Sequence, residues 1–175
     1  MIDVHYSSKN QEWFTPPDLY SLLHSHFNFT LDPCTSAENP LATARFFTEE
    51  TNGLSASWAN ERVFCNPPYA DVALWLKKAT TENVMCVFLI PARTDTKYFH
   101  DFIFNEADWI IFLKGRLKFS ASKNSAPFPS CLVGFNCAAP NVLTDLPLNL
   151  RGKLLNIKNS KPSSRCLFNC QDRMV

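Results

Sequence analysis

The stretch VMCVFLIPA, residues 84–92, leaves this chain little freedom. A strand with one face in water alternates polar and apolar side chains, because successive residues point to opposite faces. A run without that alternation needs cover on both faces, as at the centre of a parallel sheet packed between helices. Shorter apolar stretches around it fit the same architecture. Thr15-Pro16-Pro17-Asp18 opens a helix, with Thr15 placed to cap it and the prolines suited to a first turn. Leu19, Leu22, Leu23 and Phe27 continue at helical spacing. Short strands are expected at 27–31, stopped by Asp32-Pro33, within ARFFTEETNGL (44–54), and at 62–65. Helices are expected at 72–81, with Leu74, Trp75 and Leu76 partly buried, and at roughly 96–105. WIIFLKG and SCLVGF read as two late strands separated by the polar loop RLKFSASKNSAPFP. Strands alternating with helices indicate a single α/β domain with a mostly parallel sheet.

Composition sets limits on this reading. The 175 residues are 46% apolar, enough to bury one core, and the 15 Phe and four Trp make that core aromatic. With four Gly against 12 Pro, the loops are shaped by proline. The net charge of +1 marks no bulk polyanion binder, but it is uneven. From Pro140 onward six basic residues face two acidic ones, a balance of +4 that leaves −3 on the rest, and a basic tail is a pointer to a polyanionic partner. The polar residues 1–12 read as flexible, and 140–175 as an extension that is partly ordered at most. The seven cysteines sit mostly in apolar contexts without a signal-peptide pattern before them, so reduced thiols in the cytoplasm are expected. Cys166 and Cys170 lack a second ligand pair, and His24, His26 and His100 lack ligand spacing, so no metal is expected. No apolar stretch reaches membrane-spanning length.

In open α/β sheets, ligands bind outside the carboxyl ends of the strands. That rule gathers Asp32-Pro33-Cys34, Asn66-Pro67-Pro68-Tyr69 and Pro91-Ala92-Arg93 into one crevice. Prolines stiffen the loop after Asn66. The exocyclic amine of a ring such as adenine is a poor nucleophile, because its lone pair is delocalised. Two acceptors converging on it, the Asn66 side-chain oxygen and the Pro67 carbonyl, favour a pyramidal nitrogen that can attack. Tyr69 can stack on the ring, which is worth about 1–3 kcal/mol.

The ordered set EWFTPPDLY, LDPCTS, NGL, VFCNPPY, IPARTDTKYFHD, GRLKF and APFPSCLV resembles the phage-type DNA N6-adenine methyltransferases, the phage Dam family, from about Glu12 to Phe135. The resemblance implies a reduced, Rossmann-like class I S-adenosylmethionine-dependent methyltransferase sheet over 13–139. It implies S-adenosylmethionine as methyl donor, double-stranded DNA as substrate, and the cytoplasm of a bacterial or phage-infected cell. Asn66, Pro67, Pro68 and Tyr69 would hold the target adenine. Thr15, Pro16, Asp32, Pro33, Cys34, Glu49 (or Glu50) and Asn52 would hold the cofactor. Arg93, Arg116, Lys118, Phe119, Lys123 and Phe128 would meet DNA, with Phe119 or Phe128 as a second stacking wall. Two departures stand out: DPCTSAENPLA has no glycine, and Asn52 stands where an acid is more typical. The 34 positions from Asp32 to Asn66 leave room for two crossovers at most, so a strand and a helix of the full core should be absent.

Plainer readings stand beside these. Asp32-Pro33 also ends a strand, Thr15-Pro16-Pro17 also starts a helix, and Glu49-Glu50 also suits a solvated turn. Arg116, Lys118 and Lys123 are individually ordinary surface charges, whereas Arg93 at a crevice mouth suits phosphate. Methylation of RNA or of a protein glutamine, and nucleic-acid binding without turnover, are the competing functions.

Overall fold

The computed structural model describes residues 13–39, 41–120, 124–140, 146 and 150–157. Helix α1 (Pro17–Phe27) begins at Pro16, which is the N-cap in extended conformation without a side-chain cap bond. The expected Thr15 cap is therefore absent, because the Thr15 hydroxyl is committed elsewhere. The helix ends at Asn28, whose left-handed backbone returns an N–H to the His24 carbonyl. Phe27 is thus helical, and strand β1 is only Leu31–Asp32, shorter than expected.

Strands β2 (Arg45–Phe46) and β3 (Arg62–Cys65) flank β1 and run parallel to it. The interval from Asp32 to Asn66 does hold two crossovers, and among the described residues neither contains a helix. Helix α2 (Val72–Glu82) buries Val72, Trp75, Leu76 and Ala79 but leaves Leu74 54% exposed. Central strand β4 (Met85–Pro91) pairs parallel with β3 and is buried at every position from Cys86 on. The next helical segment starts later than expected, because Thr96 closes a turn back onto the Arg93 carbonyl through both its N–H and its hydroxyl. A π-helical turn, Phe99–Ile103, then runs into one α turn, Phe104–Glu106, here called α3.

Strands β5 (Trp109–Phe112), β6 (Ser130–Phe135) and β7 (Lys153–Asn156) complete a seven-stranded sheet of order β2-β1-β3-β4-β6-β5-β7. The β4–β6, β5–β6 and β5–β7 pairings are antiparallel, so half of the pairings depart from the mostly parallel expectation, although five of the seven strands still point one way. The reason is local: β6 returns through the 113–129 loop alongside β4, and β5 lies outside it. Strand β7 was not expected. Its residues are largely exposed, so they carry little apolar pattern.

Side-chain alternation divides the core. Val63, Cys65, Cys86, Phe88, Ile90, Cys131 and Val133 face the layer of α2 and the π turn. Phe64, Val87, Leu89, Ile111 and Leu132 face α1. At about 25 cal/mol per Å² of apolar area, these two layers supply the main stabilisation. The antiparallel start of β6 (Ser130 beside Pro91) and the end of β5 lie at the same sheet end as the carboxyl ends of β1, β3 and β4. The described parts of the connecting loop, 113–120 and 124–129, are therefore delivered to that sheet end.

Candidate active site

Asn66 leaves β3 half-buried at the crevice. Its Nδ2 donates to the Trp13 carbonyl at 2.6 Å and to the Thr15 hydroxyl oxygen at 3.0 Å. The Tyr69 hydroxyl approaches the Asn66 Oδ1 at 3.4 Å, a long and weak contact. Pro67 is buried and Pro68 exposed. The Pro68 carbonyl accepts from Asp71 N–H, whereas the Pro67 carbonyl takes no part in the loop hydrogen bonds among the described residues. Among the described residues, Asn66 Oδ1 thus carries only this long contact, and Pro67 O takes no backbone donor in the loop.

Four rings gather around this amide. Tyr69 meets Phe128 edge-on at 5.2 Å between centroids and Phe119 at 6.4 Å. Trp13 sits 5.1 Å from Phe119 and 5.3 Å from Phe128. Phe119 is 1% exposed and backs the cluster, while Phe128 is half-buried. Burial and the nearby Cys131 hold the Tyr69 phenol well above its ordinary range, so it stays protonated.

Asp32 ends β1 at 4% exposure. Its Oδ1 accepts from Cys34 N–H at 3.2 Å, and among the described residues no cation pairs with it. Burial outweighs that one bond and raises its carboxyl to about 7. A buried acid without a counter-charge suits a cationic ligand. Cys34 and Cys65 bring their sulfurs to 3.5 Å, and burial pushes both thiols up, keeping them protonated. Pro33 lies against Gly53 so closely that a Cβ there would stand 1.9 Å from the Pro33 carbonyl oxygen.

Other expected residues are arranged more loosely. Pro16 is half-buried at the start of α1. Glu49 is exposed just beyond β2. Asn52 is exposed with a left-handed backbone, and its Oδ1 accepts from Leu54 N–H, a local turn. Arg93 is exposed after β4, and Arg116 and Lys118 are exposed on the crevice loop. Lys123 lies outside the described residues. Trp13 was missed as a site residue: EWFTPP marked its neighbourhood, but a contribution through a backbone carbonyl leaves no mark in side-chain chemistry. Among the described residues no group of three or more His, Cys, Asp or Glu side chains could hold a metal, and no helix is long and apolar enough to cross a membrane.

Together these features define an α/β protein that gathers an asparagine amide, four rings and one buried acid at the carboxyl ends of its strands. The chain belongs to the family described as DNA N-6-adenine-methyltransferase (Dam), which matches residues 4–133. It is 32% identical over 105 residues to the DNA N-6-adenine-methyltransferase of Escherichia phage T1, covering 56% of this chain and 44% of that relative. It is 27% identical over 139 residues to the protein of the same name in Haemophilus phage HP1, covering 73% of this chain and 80% of the relative. The match thus spans less than half the length of the T1 protein. No solved structure matches the chain significantly.

Proposed function

We propose that this protein transfers a methyl group from S-adenosylmethionine to N6 of an adenine in double-stranded DNA. The observation that carries the reading is Asn66 at the end of β3, its Oδ1 turned toward Tyr69 of a ring cluster, on the strand next to the acid that ends β1. Asn66 Oδ1 and Pro67 O would accept the two amine hydrogens of the target base, drawing the nitrogen lone pair out of conjugation. Tyr69 and Phe128 would hold the ring in line. Amide acceptors do not titrate, so the neutral amine would attack: its N–CH3 bond would form as the donor's S–CH3 bond breaks to leave a neutral thioether, and the methylated nitrogen would then release one proton to water. Asp32, with Pro16, Pro33, Cys34, Glu49 and Asn52 near the same strand ends, would hold the cofactor, which supplies an electrophilic methyl group. The uncompensated carboxyl of Asp32 fits a ligand that carries positive charge. Protonated Cys34 and Cys65 thiols are poor competing nucleophiles beside such a methyl donor.

Arg93, Arg116 and Lys118 would meet phosphates around the crevice mouth, with Lys123 assigned to the same loop by sequence alone. The sheet is read as a reduced class I methyltransferase fold over 13–139. Beyond that range, β7 (Lys153–Asn156) adds an edge strand, so the sheet extends past 139.

Labelled S-adenosylmethionine offered with duplex DNA, RNA and protein acceptors tests the reading. Label should enter adenine of duplex DNA. Asn66→Ala should lower turnover on the order of 100-fold or more while cofactor affinity stays within a few-fold. Label entering RNA or protein instead would reassign the substrate, and affinity falling in parallel with turnover would move Asn66 to the cofactor.

A further inference from the structure

We propose that Trp13 and Thr15 are positioning residues that fix which atom of the Asn66 amide faces the substrate, a role that rests on the methyl-transfer reading above. An asparagine side chain has an oxygen and a nitrogen of nearly equal shape, so sterics alone does not orient it. Here the partners do. The Trp13 carbonyl can only accept, and it stands 2.6 Å from Nδ2. Turning the amide over would set two oxygens against each other at that distance. The Thr15 hydroxyl oxygen takes a hydrogen from the same Nδ2 at 3.0 Å, from a side chain only 6% exposed. With both hydrogens of Nδ2 engaged, Oδ1 is turned toward Tyr69 and the ring cluster. An aspartate at 66 would meet the Trp13 carbonyl with a second acceptor, which accounts for an amide in this position.

The strap that carries these partners is itself anchored. Ser120 N–H donates to the Phe14 carbonyl at 3.0 Å, and the Ser120 hydroxyl donates to the Thr15 carbonyl at 3.2 Å. Residues 13–15 therefore bridge the end of β3 to the 113–129 loop. Just beyond them Pro16 and Pro17 fix φ at the start of α1, which limits how far the strap can shift. The Thr15 side chain points at Asn66, and so its expected cofactor contact becomes a contact with the acceptor instead.

The test has a physical and a kinetic arm. In protein labelled with ¹⁵N at asparagine side chains, the Asn66 amide protons, assigned by their loss in Asn66→Ala, should exchange with water at least tenfold more slowly than those of exposed Asn52. Thr15→Val, which keeps the shape and removes the hydroxyl, should speed that exchange, and Thr15→Ser should restore it. On duplex DNA, Thr15→Val should lower kcat about three- to tenfold, the range set by one hydrogen bond, with KM for S-adenosylmethionine within about twofold. Rapid exchange of the Asn66 amide in the unmodified protein would overturn the proposal. So would a Thr15→Val defect confined to cofactor KM. If the unmodified protein methylates no DNA adenine, the proposed function fails, and the exchange arm still decides how Asn66 is held.

Discussion

Asp32 shows how one buried group couples the site to pH. An isolated carboxyl titrates at its ordinary 3.8, and in the fold this one is raised to about 7. The folded state therefore binds the proton more tightly than the unfolded chain. The penalty for folding around the charged form is absent below about pH 4, grows as pH rises toward 7, and is complete above 7. At pH 8 it is on the order of 4 kcal/mol. Asp32→Asn keeps an oxygen for the Cys34 N–H and removes the charge. Without cofactor, the variant should melt higher than the unmodified protein at pH 8, by roughly 8–16 °C, and show little difference at pH 4. Calorimetry at the two pH values decides it; a gain of equal size at both would mean that the burial of charge is not the cause. Titration with S-adenosylmethionine should show weaker binding by the same variant, so stability and function pull in opposite directions at this residue.

Elements differ in how much of themselves they write into sequence, and Gly53 illustrates the difference. Asn52-Gly53 marks a turn from composition alone, with Asn52 left-handed in the structure. Nothing in the sequence says that this turn packs on the end of β1. An alanine Cβ would lie 1.9 Å from the Pro33 carbonyl oxygen and 3.2 Å from the Phe47 Cβ, and a backbone atom cannot swing aside as a side chain can. The Gly53 carbonyl also accepts from the buried Trp58 indole at 2.9 Å, which anchors the turn from behind. Gly53→Ala should therefore cost about 1–3 kcal/mol and weaken cofactor binding through displaced Pro33 and Asp32. An unchanged melting temperature in thermal denaturation would contradict the packing described. Strands β3 and β4 were legible because burial on both faces imposes an apolar run. Strand β7, an edge with exposed side chains, has no such obligation and stayed unread. The Asn66-Pro67-Pro68-Tyr69 loop was legible from its chemistry, whereas the bond from Asn66 to a carbonyl 53 residues away was not, since any residue at 13 supplies a carbonyl.

At the scale of the whole molecule, the crevice lies at one end of a seven-stranded sheet, between β1, β3, β4 and the loop joining β5 to β6. A paired adenine presents its amine in the major groove already engaged with its partner base. No pocket at strand ends can surround that amine from both sides while the base stays stacked. The proposed reaction therefore requires the nucleotide to swing out of the duplex, at a cost of a few kcal/mol that falls when the pair is already weak. The ring cluster supplies the compensation: Tyr69 offers an apolar surface flanked edge-on by Phe128, and its hydroxyl sits only loosely on Asn66 Oδ1, at 3.4 Å, so an incoming amine can take its place. Binding of the unmodified protein should tighten when the target's partner is mismatched or abasic. With 2-aminopurine at the target position, fluorescence should rise on binding as the base unstacks. Tyr69→Phe keeps the ring and should retain most turnover. Tyr69→Ala removes the platform and should lose affinity by about tenfold or more, in line with about 1–3 kcal/mol for stacking of a base on an aromatic side chain. Affinity indifferent to the mismatch, together with unchanged fluorescence in both the unmodified protein and Tyr69→Ala, would rule out extrusion and with it an adenine inside duplex DNA as the substrate.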